Sequence, residues 1–545
     1  MRIRRTVPFI VLALALGSQA SLAAPDALSP LPESEWSWNS AAHLLRRAGF
    51  GGTKAEVDAL HARGLEGAVD SLLGWQGKPD PGTPPISITV TERPGRMEYM
   101  GKSREERQML QREHRRKDGR QLGRVRAWWM SLMINTNHPL RERMTLFWHG
   151  HFTSGYRDIR NSYHMYMQNT LFRRHAAGNF AQLLHDISAD PAMLEYLDNN
   201  RNRKGKPNEN YAREVMELFT MGEGNYGEKD IKEAARAFTG WTFRGNEFVF
   251  DFRNHDPGEK TFLGKTGRFD GDDIIEIILE QPVTAEYITR KLARNFGIRN
   301  PSDEYIRSLA KTFRRSKYEL KPVLRQMLLS REFYGDDVVG TKIKGPVELI
   351  VSLYRSLGMR VRPTVALPAL AGSLGQELMQ PPNVKGWEGG RNWITTSHLL
   401  NRYNICGAVV GLPQDRMRTL RGARIRGMRD GLGEAMPEND EEADAMDGME
   451  MEEQDRRRRG RGRRTGGLVY DVVGSVREQD LSRPDEIVDY FTKLLLANPP
   501  SAEMRKTLID YLSKRRAFDL STYEAKQRLH GLLRLIVSLP EFQLT

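Results

Sequence analysis

Along most of the chain, apolar residues return every three or four positions, the spacing of a helix with one buried face. Helices are predicted over 161–175, 179–188, 208–221, 228–239, 272–280, 282–296, 302–314, 320–330, 345–357 and 391–410, and again over 482–496, 502–514 and 521–537. Punctuation agrees with the period. Asn39 or Ser40 can cap a helix that runs through Ala48, with Gly49, Gly51 and Gly52 ending it and Thr53 capping the next. A charged helix from Ser103 reaches about Ile134, and Pro139 then opens another. Only Trp241–Arg244 and Glu247–Phe250 alternate with a period of two, around Gly245-Asn246, as a hairpin does. The pattern predicts a mainly α fold, an irregular multi-helix domain with one small β-hairpin at about 241–250.

The periodicity fails twice. Residues 1–23 carry Arg2, Arg4 and Arg5, an apolar run from Val7 to Leu16 and Ser21-Leu22-Ala23, the layout of a cleaved export signal. The flanks of Arg4-Arg5 fit a twin-arginine signal poorly. Residues 413–468 are rich in Gly, Arg, Glu and Asp and poor in aromatics, which predicts a disordered charged insertion. The expected organisation is a helical domain over 35–412, the insertion, and C-terminal helices over 482–545 packing back on the main domain. Leu324–Tyr334 and Leu533–Gln543 echo each other after helices, so the last helices resemble a second copy of the 302–334 module.

Charge and cysteine content refine this. The formal charge is +13, but basic residues are scattered. The dense run Arg456–Arg464 lies beside an acidic one, Glu434–Asp455, and no nucleic-acid-binding motif accompanies either. No stretch after the signal is apolar enough to span a membrane. The one cysteine, Cys406, excludes an intrachain disulfide and fits an apolar helix face, as a core residue does. The expected location is the periplasm or the extracellular space.

Candidate chemistry concentrates in Asn208–Trp241. Asn210, Glu214 and Glu217 share one helical stripe beside Tyr211, Val215 and Leu218, placing two carboxylates at the edge of a buried face. They can act as acid and base or as metal ligands; equally, they can pair with Arg213, Arg236 or Lys232 in an ion network. His149-Gly150-His151 is metal-like only if the helix ends there, since rings two residues apart on a helix diverge by about 200°. With Glu214, Glu217, His255 or Asp256, these histidines would offer a zinc, iron or manganese ion nitrogen and oxygen ligands. The other reading makes one ring a helix cap and the other a carboxylate's partner. His255-Asp256 with Lys260 sits in a turn, where function and plain turn formation by Asp256-Pro257-Gly258 both fit. Pro381–Trp393 reads as a long glycine-containing loop whose Trp387, Trp393 and Arg391 either stack on a sugar or plug the core. Gly-x-Ser-x-Gly, phosphate-loop and dinucleotide fingerprints are absent from the sequence.

Taken in order, His43–Gly51, Phe147–Phe152, Asn208–Trp241, His255-Asp256 with Lys260–Gly264, and Pro381–Trp393 resemble the bacterial domain-of-unknown-function 1800 family. The resemblance implies an exported protein whose chemistry is not established, and an exported sulfatase-like partner of the domain-of-unknown-function 1501 family. Gln281 and Phe219 stand where relatives often carry histidine, which weakens any metal scheme using those positions. The sequence supports two functional expectations. One is an enzyme-like polar site of His149, His151, Glu214, Glu217, His255 and Asp256, served by a divalent transition metal for hydrolysis or redox chemistry. The other is a non-catalytic partner or scaffold, or a glycan-binding module.

Overall fold

A computed structural model describes residues 28–75, 78, 80, 86–90, 94–411, 470–513 and 518–545. The expected signal at 1–23 and the charged segment at 413–468 lie outside the described residues. The rest is mainly α, as the periodicity requires, and the predicted helices all form. Their starts follow local chemistry. Thr53 and Glu56 make a reciprocal cap on Lys54–His61, as do Ser103 and Glu106 on Arg104–Asn135. The first long helix, Trp38–Gly49, begins one turn earlier than expected: Ser37, not Asn39 or Ser40, accepts the Ser40 amide. The expected 391–410 helix divides into a 3-10 turn at Gly390–Trp393 and a helix at Thr396–Val410.

Among the described residues two hairpins are present instead of one. β1 (Trp241–Arg244) pairs with β2 (Glu247–Phe250) in the expected register, Arg244 opposite Glu247. β3 (Lys260–Phe262) pairs with β4 (Lys265–Gly267). Three-residue strands are too short to show alternation. Their turn places Leu263 at φ 44° and Gly264 at φ 80°, and leucine is not a residue that announces a left-handed turn.

Burial separates two apolar cores. The first gathers the helices around Leu44, Trp148, Phe180, Val215, Ile278 and Leu324. The second joins the Arg104–Asn135 helix to Pro346–Ser356, Thr396–Val410 and the C-terminal helices, with Cys406 fully buried in it. Burial pushes that thiol up to about 12. Where the cores meet, Glu348 pairs with Arg143 at 3.2 Å and Lys342 at 3.5 Å. Burial alone would raise its carboxyl, but Arg143, Lys342, Arg47 and Lys344 pull it down to about 2. A lone glutamate in an apolar helix gave no warning of this cluster.

The internal echo is structural. Leu320–Leu329 and Tyr523–Val537 each run into a 3-10 turn, Arg331–Tyr334 and Pro540–Gln543. The matching carbonyls are capped alike: Nε2 of His43 donates to Phe333 (3.0 Å), and Nζ of Lys344 donates to Phe542 (2.8 Å). The caps come from different elements, yet each cationic or imidazole group also lies against the phenyl ring of the residue it caps.

Candidate functional site

The helix that starts at Asn208 changes pitch in its middle. Glu209–Glu214 is α-helical, whereas Val215–Thr220 is one turn of π-helix. The Met221 amide reaches back five residues to Met216, and the Thr220 hydroxyl reaches back five to Val215. Such turns are uncommon and cluster at functional sites. Widening frees carbonyls that an α-helix would use. Tyr287 donates its hydroxyl to Leu218 (2.9 Å) and Glu217 (3.3 Å), and Lys291 donates to Leu218 (3.0 Å).

Glu214 and Glu217 sit at this change of pitch, half-buried, with Tyr211 and Val215 buried behind them. The ion network offered as an alternative does not form. Arg213 pairs with Glu209 and Glu228, and Arg236 with Glu233 and Asp256. Among the described residues neither glutamate has an ion-pair partner, and Oε2 of Glu214 is buried without a hydrogen bond. Burial, followed by the charge of Glu217, raises the Glu214 carboxyl above its ordinary value. Glu217 accepts the Tyr226 hydroxyl at 3.3 Å.

Three phenols surround the pair. Tyr226 is raised to about 12 by burial and Glu217, and Tyr287 to about 12 by burial, Glu217 and Glu223. Tyr196 is raised to about 12 by burial and the charges of Asp158 and Glu214. All three are therefore hydrogen-bond donors at neutral pH. Lys385, in the Pro381–Trp393 loop, is the cation whose charge acts most on Glu214. Tyr226 and Lys385 lie within motifs read from the sequence; nothing in the pattern marked Tyr196, Tyr287 or Asp158.

The two histidines have another task. Both belong to the Pro139–His151 helix, so their rings diverge as helical geometry demands. Nε2 of His149 accepts the Met379 amide at 3.0 Å, and the ring packs on Trp129 and Trp387. Burial and Arg126 lower His149 to about 3. His151 donates from Nε2 to Phe219 (3.0 Å) and accepts from Lys291 at Nδ1 (3.1 Å). Between them, the Gly150 carbonyl meets the loop at Gly386, where an added Cβ would lie 2.5 Å from that oxygen. The motif clamps the 379–387 loop on one side and the π turn on the other. Trp393 is buried and Trp387 half-buried, the plug rather than an exposed sugar platform.

His255 and Asp256 form a third, separate group. Nδ1 of His255 donates to Thr239 (3.0 Å), Asp256 holds Arg236 (2.8 Å), and buried Lys260 donates to the Asp256 and Gly258 carbonyls. The expected six-residue site thus divides into a histidine clamp, a free carboxylate pair and a turn. The donors do not fit the expected transition metal: three of the four nitrogens of His149 and His151 are engaged in the hydrogen bonds just described. Among the described residues, no group of three or more His, Cys, Asp or Glu is arranged to hold a metal ion. No helix among them is long and apolar enough to cross a membrane.

Residues 43–544 match the family described as a protein of unknown function (DUF1800). The chain belongs to that family. The match spans both cores and both copies of the helical echo, so the DUF1800 fold includes the helices that follow the charged segment. Neither a curated protein nor a solved structure matches this DUF1800 chain.

Proposed function

We propose that this protein is an exported acid–base enzyme whose reacting groups are Glu214 and Glu217, acting on a polar envelope or extracellular substrate. The observation that carries the reading is the buried, unbonded Oε2 of Glu214, beside a second carboxylate and in no ion pair among the described residues. An unsatisfied buried carboxylate oxygen is costly and calls for a reason. Glu214, held above its ordinary pKa, is suited to give a proton. Glu217 supplies the negative charge that keeps it so, and the phenol of Tyr196, whose titration is raised by burial and the charges of Asp158 and Glu214, can donate to an oxyanion or leaving oxygen. A proton donor beside a carboxylate can serve hydrolysis or elimination. Export rests on the N-terminal pattern of arginines, apolar run and small residues.

A second reading, a non-catalytic partner of an exported sulfatase-like protein, is favoured by the four other candidates. His149, His151, His255 and Asp256 are all engaged in holding the fold. A panel of ester, glycoside and polyuronate substrates separates the readings. Turnover by the wild type that disappears in both Glu214→Gln and Glu217→Gln, at unchanged melting temperature, supports the enzyme. Turnover that persists in both variants, or is absent throughout while a sulfatase-like protein is bound, sinks it.

A further inference from the structure

A groove of about 810 Å³ opens between the Asn199–Asn208 segment and the base of the first hairpin. It is within the range of small-ligand sites. Its floor is fixed by backbone bonds, Gly240 to Asn202 (3.1 Å) and Lys204 to Asn254 (2.7 Å), and by buried Asn202, which accepts the Asn208 amide at 2.9 Å. Asn200, Asn202, Asn208 and Asn254 line it; the carboxamides of Asn202 and Asn208 and the Asn254 nitrogen are held by the fold, whereas Oδ1 of Asn200 is buried without a partner.

The charges of the groove are unbalanced in a specific way. Its carboxylates are engaged: Glu209 pairs with Arg213, while Asp251 accepts the Arg253 amide and the Asn254 side chain. Arg203 and Lys206 line the groove, are exposed, and have no acidic partner among the described residues. They stand at the two ends of one tight turn, closed by the Lys206 amide bonding to the Arg203 carbonyl at 3.0 Å. Phe252 lies between the lining residues Asp251 and Asn254 and is 78% exposed, with the Phe250 ring tilted against it at 4.5 Å.

We propose that this groove binds an acidic oligosaccharide, a sugar chain bearing carboxylate or sulfate groups. The Asn200 carboxamide, whose oxygen is without a partner, can take a sugar hydroxyl. Arg203 and Lys206 take the anionic substituent, the arginine through its planar fork. Phe252 offers a ring face to the apolar face of a sugar. A single-stranded nucleic acid would need successive stacking rings, and one aromatic stands at this rim. The site is independent of Glu214 and Glu217 and stands whether or not they are catalytic.

The test is titration calorimetry on the full chain with a galacturonic-acid tetramer, its fully methyl-esterified form and a heparin tetrasaccharide. At least one of the two anionic oligomers should bind, and the ester at least tenfold more weakly than the free acid if the uronate is the ligand. Arg203→Ala/Lys206→Ala should weaken that binding tenfold or more, and Phe252→Ala severalfold, both at wild-type melting temperature. Failure of both anionic oligomers to bind overturns the proposal. So does a double variant that binds as the wild type does, or an ester bound as tightly as the acid. Should the double variant unfold, Asn200→Ala and Phe252→Ala decide by the same criterion.

Discussion

Nζ of Lys291 donates to Nδ1 of His151 at 3.1 Å, and this bond selects the ring's tautomer. The hydrogen then resides on Nε2, which gives it to the Phe219 carbonyl inside the π turn. Burial lowers Lys291 to about 8, so the bond is made by a cation that is costly to keep. Lys291→Met would leave Nδ1 of His151 without its donor and the Leu218 carbonyl with Tyr287 alone. Each unpaired buried group costs about 1–3 kcal/mol, so urea unfolding should show a clear loss of stability. An unchanged midpoint would remove Lys291 from the clamp.

Acid should weaken the fold through its histidines before its carboxylates. Burial, the first cause in each case, holds His43, His149 and His151 below the ordinary 6.5, as do the nearby cations Arg47, Arg126 and Lys291 respectively. The unfolded chain therefore binds more protons below that pH, and stability is lost as pH falls through it. Each ring contributes about 1.4 kcal/mol per pH unit. His185 opposes them: burial lowers it, but Asp272 and Glu276 raise it overall, and its stabilisation is present at low pH and lost as pH rises through its folded value. Denaturant curves between pH 7.5 and 5.5 should show a net fall, steeper in His185→Asn. A flat profile would contradict the neutral clamp.

Glu217→Gln should bring Glu214 down toward the ordinary carboxylate range, because it removes a like charge and leaves burial in place. Carbon-13 NMR of labelled glutamate carboxyls reads this directly. A Glu214 titration identical in wild type and variant would show that the two side chains do not sense each other.

Gly386 has φ 80° and faces the Gly150 carbonyl. Gly386→Ala forces a side chain into left-handed backbone, about 1–2 kcal/mol on that ground alone, and into contact with the clamp. The loop carrying Lys385 and Trp387 should loosen, seen as faster proteolysis between Met379 and Trp393. Cleavage at the wild-type rate would mean that the close approach is not needed.

Much of the fold was legible because helices with one buried face advertise themselves. The Thr53–Glu56 cap, the Gly245-Asn246 turn and buried Cys406 each follow from local chemistry. The carboxylate stripe was equally visible at Glu214 and Glu217. What stayed hidden depends on partners distant in sequence. A π turn differs from an α turn by one residue per cycle, too little to disturb the period over Val215–Thr220. Tyr287 and Tyr196 reach the site by helix packing, and spacing is silent on that. His149 and His151 misled for the opposite reason: metal-like composition concealed two rings pointing apart along a continuing helix.

The charged cluster around Glu348 has a mechanical meaning. Pulling either core apart internally exposes hydrocarbon to water, whereas parting the cores there returns Arg46, Arg47, Arg143, Lys344 and Arg402 to hydration. Part of the work of opening is thus offset along that plane. The molecule's fault line runs between its two cores, and slow breathing, read as hydrogen exchange, should begin on the flanks of Glu348.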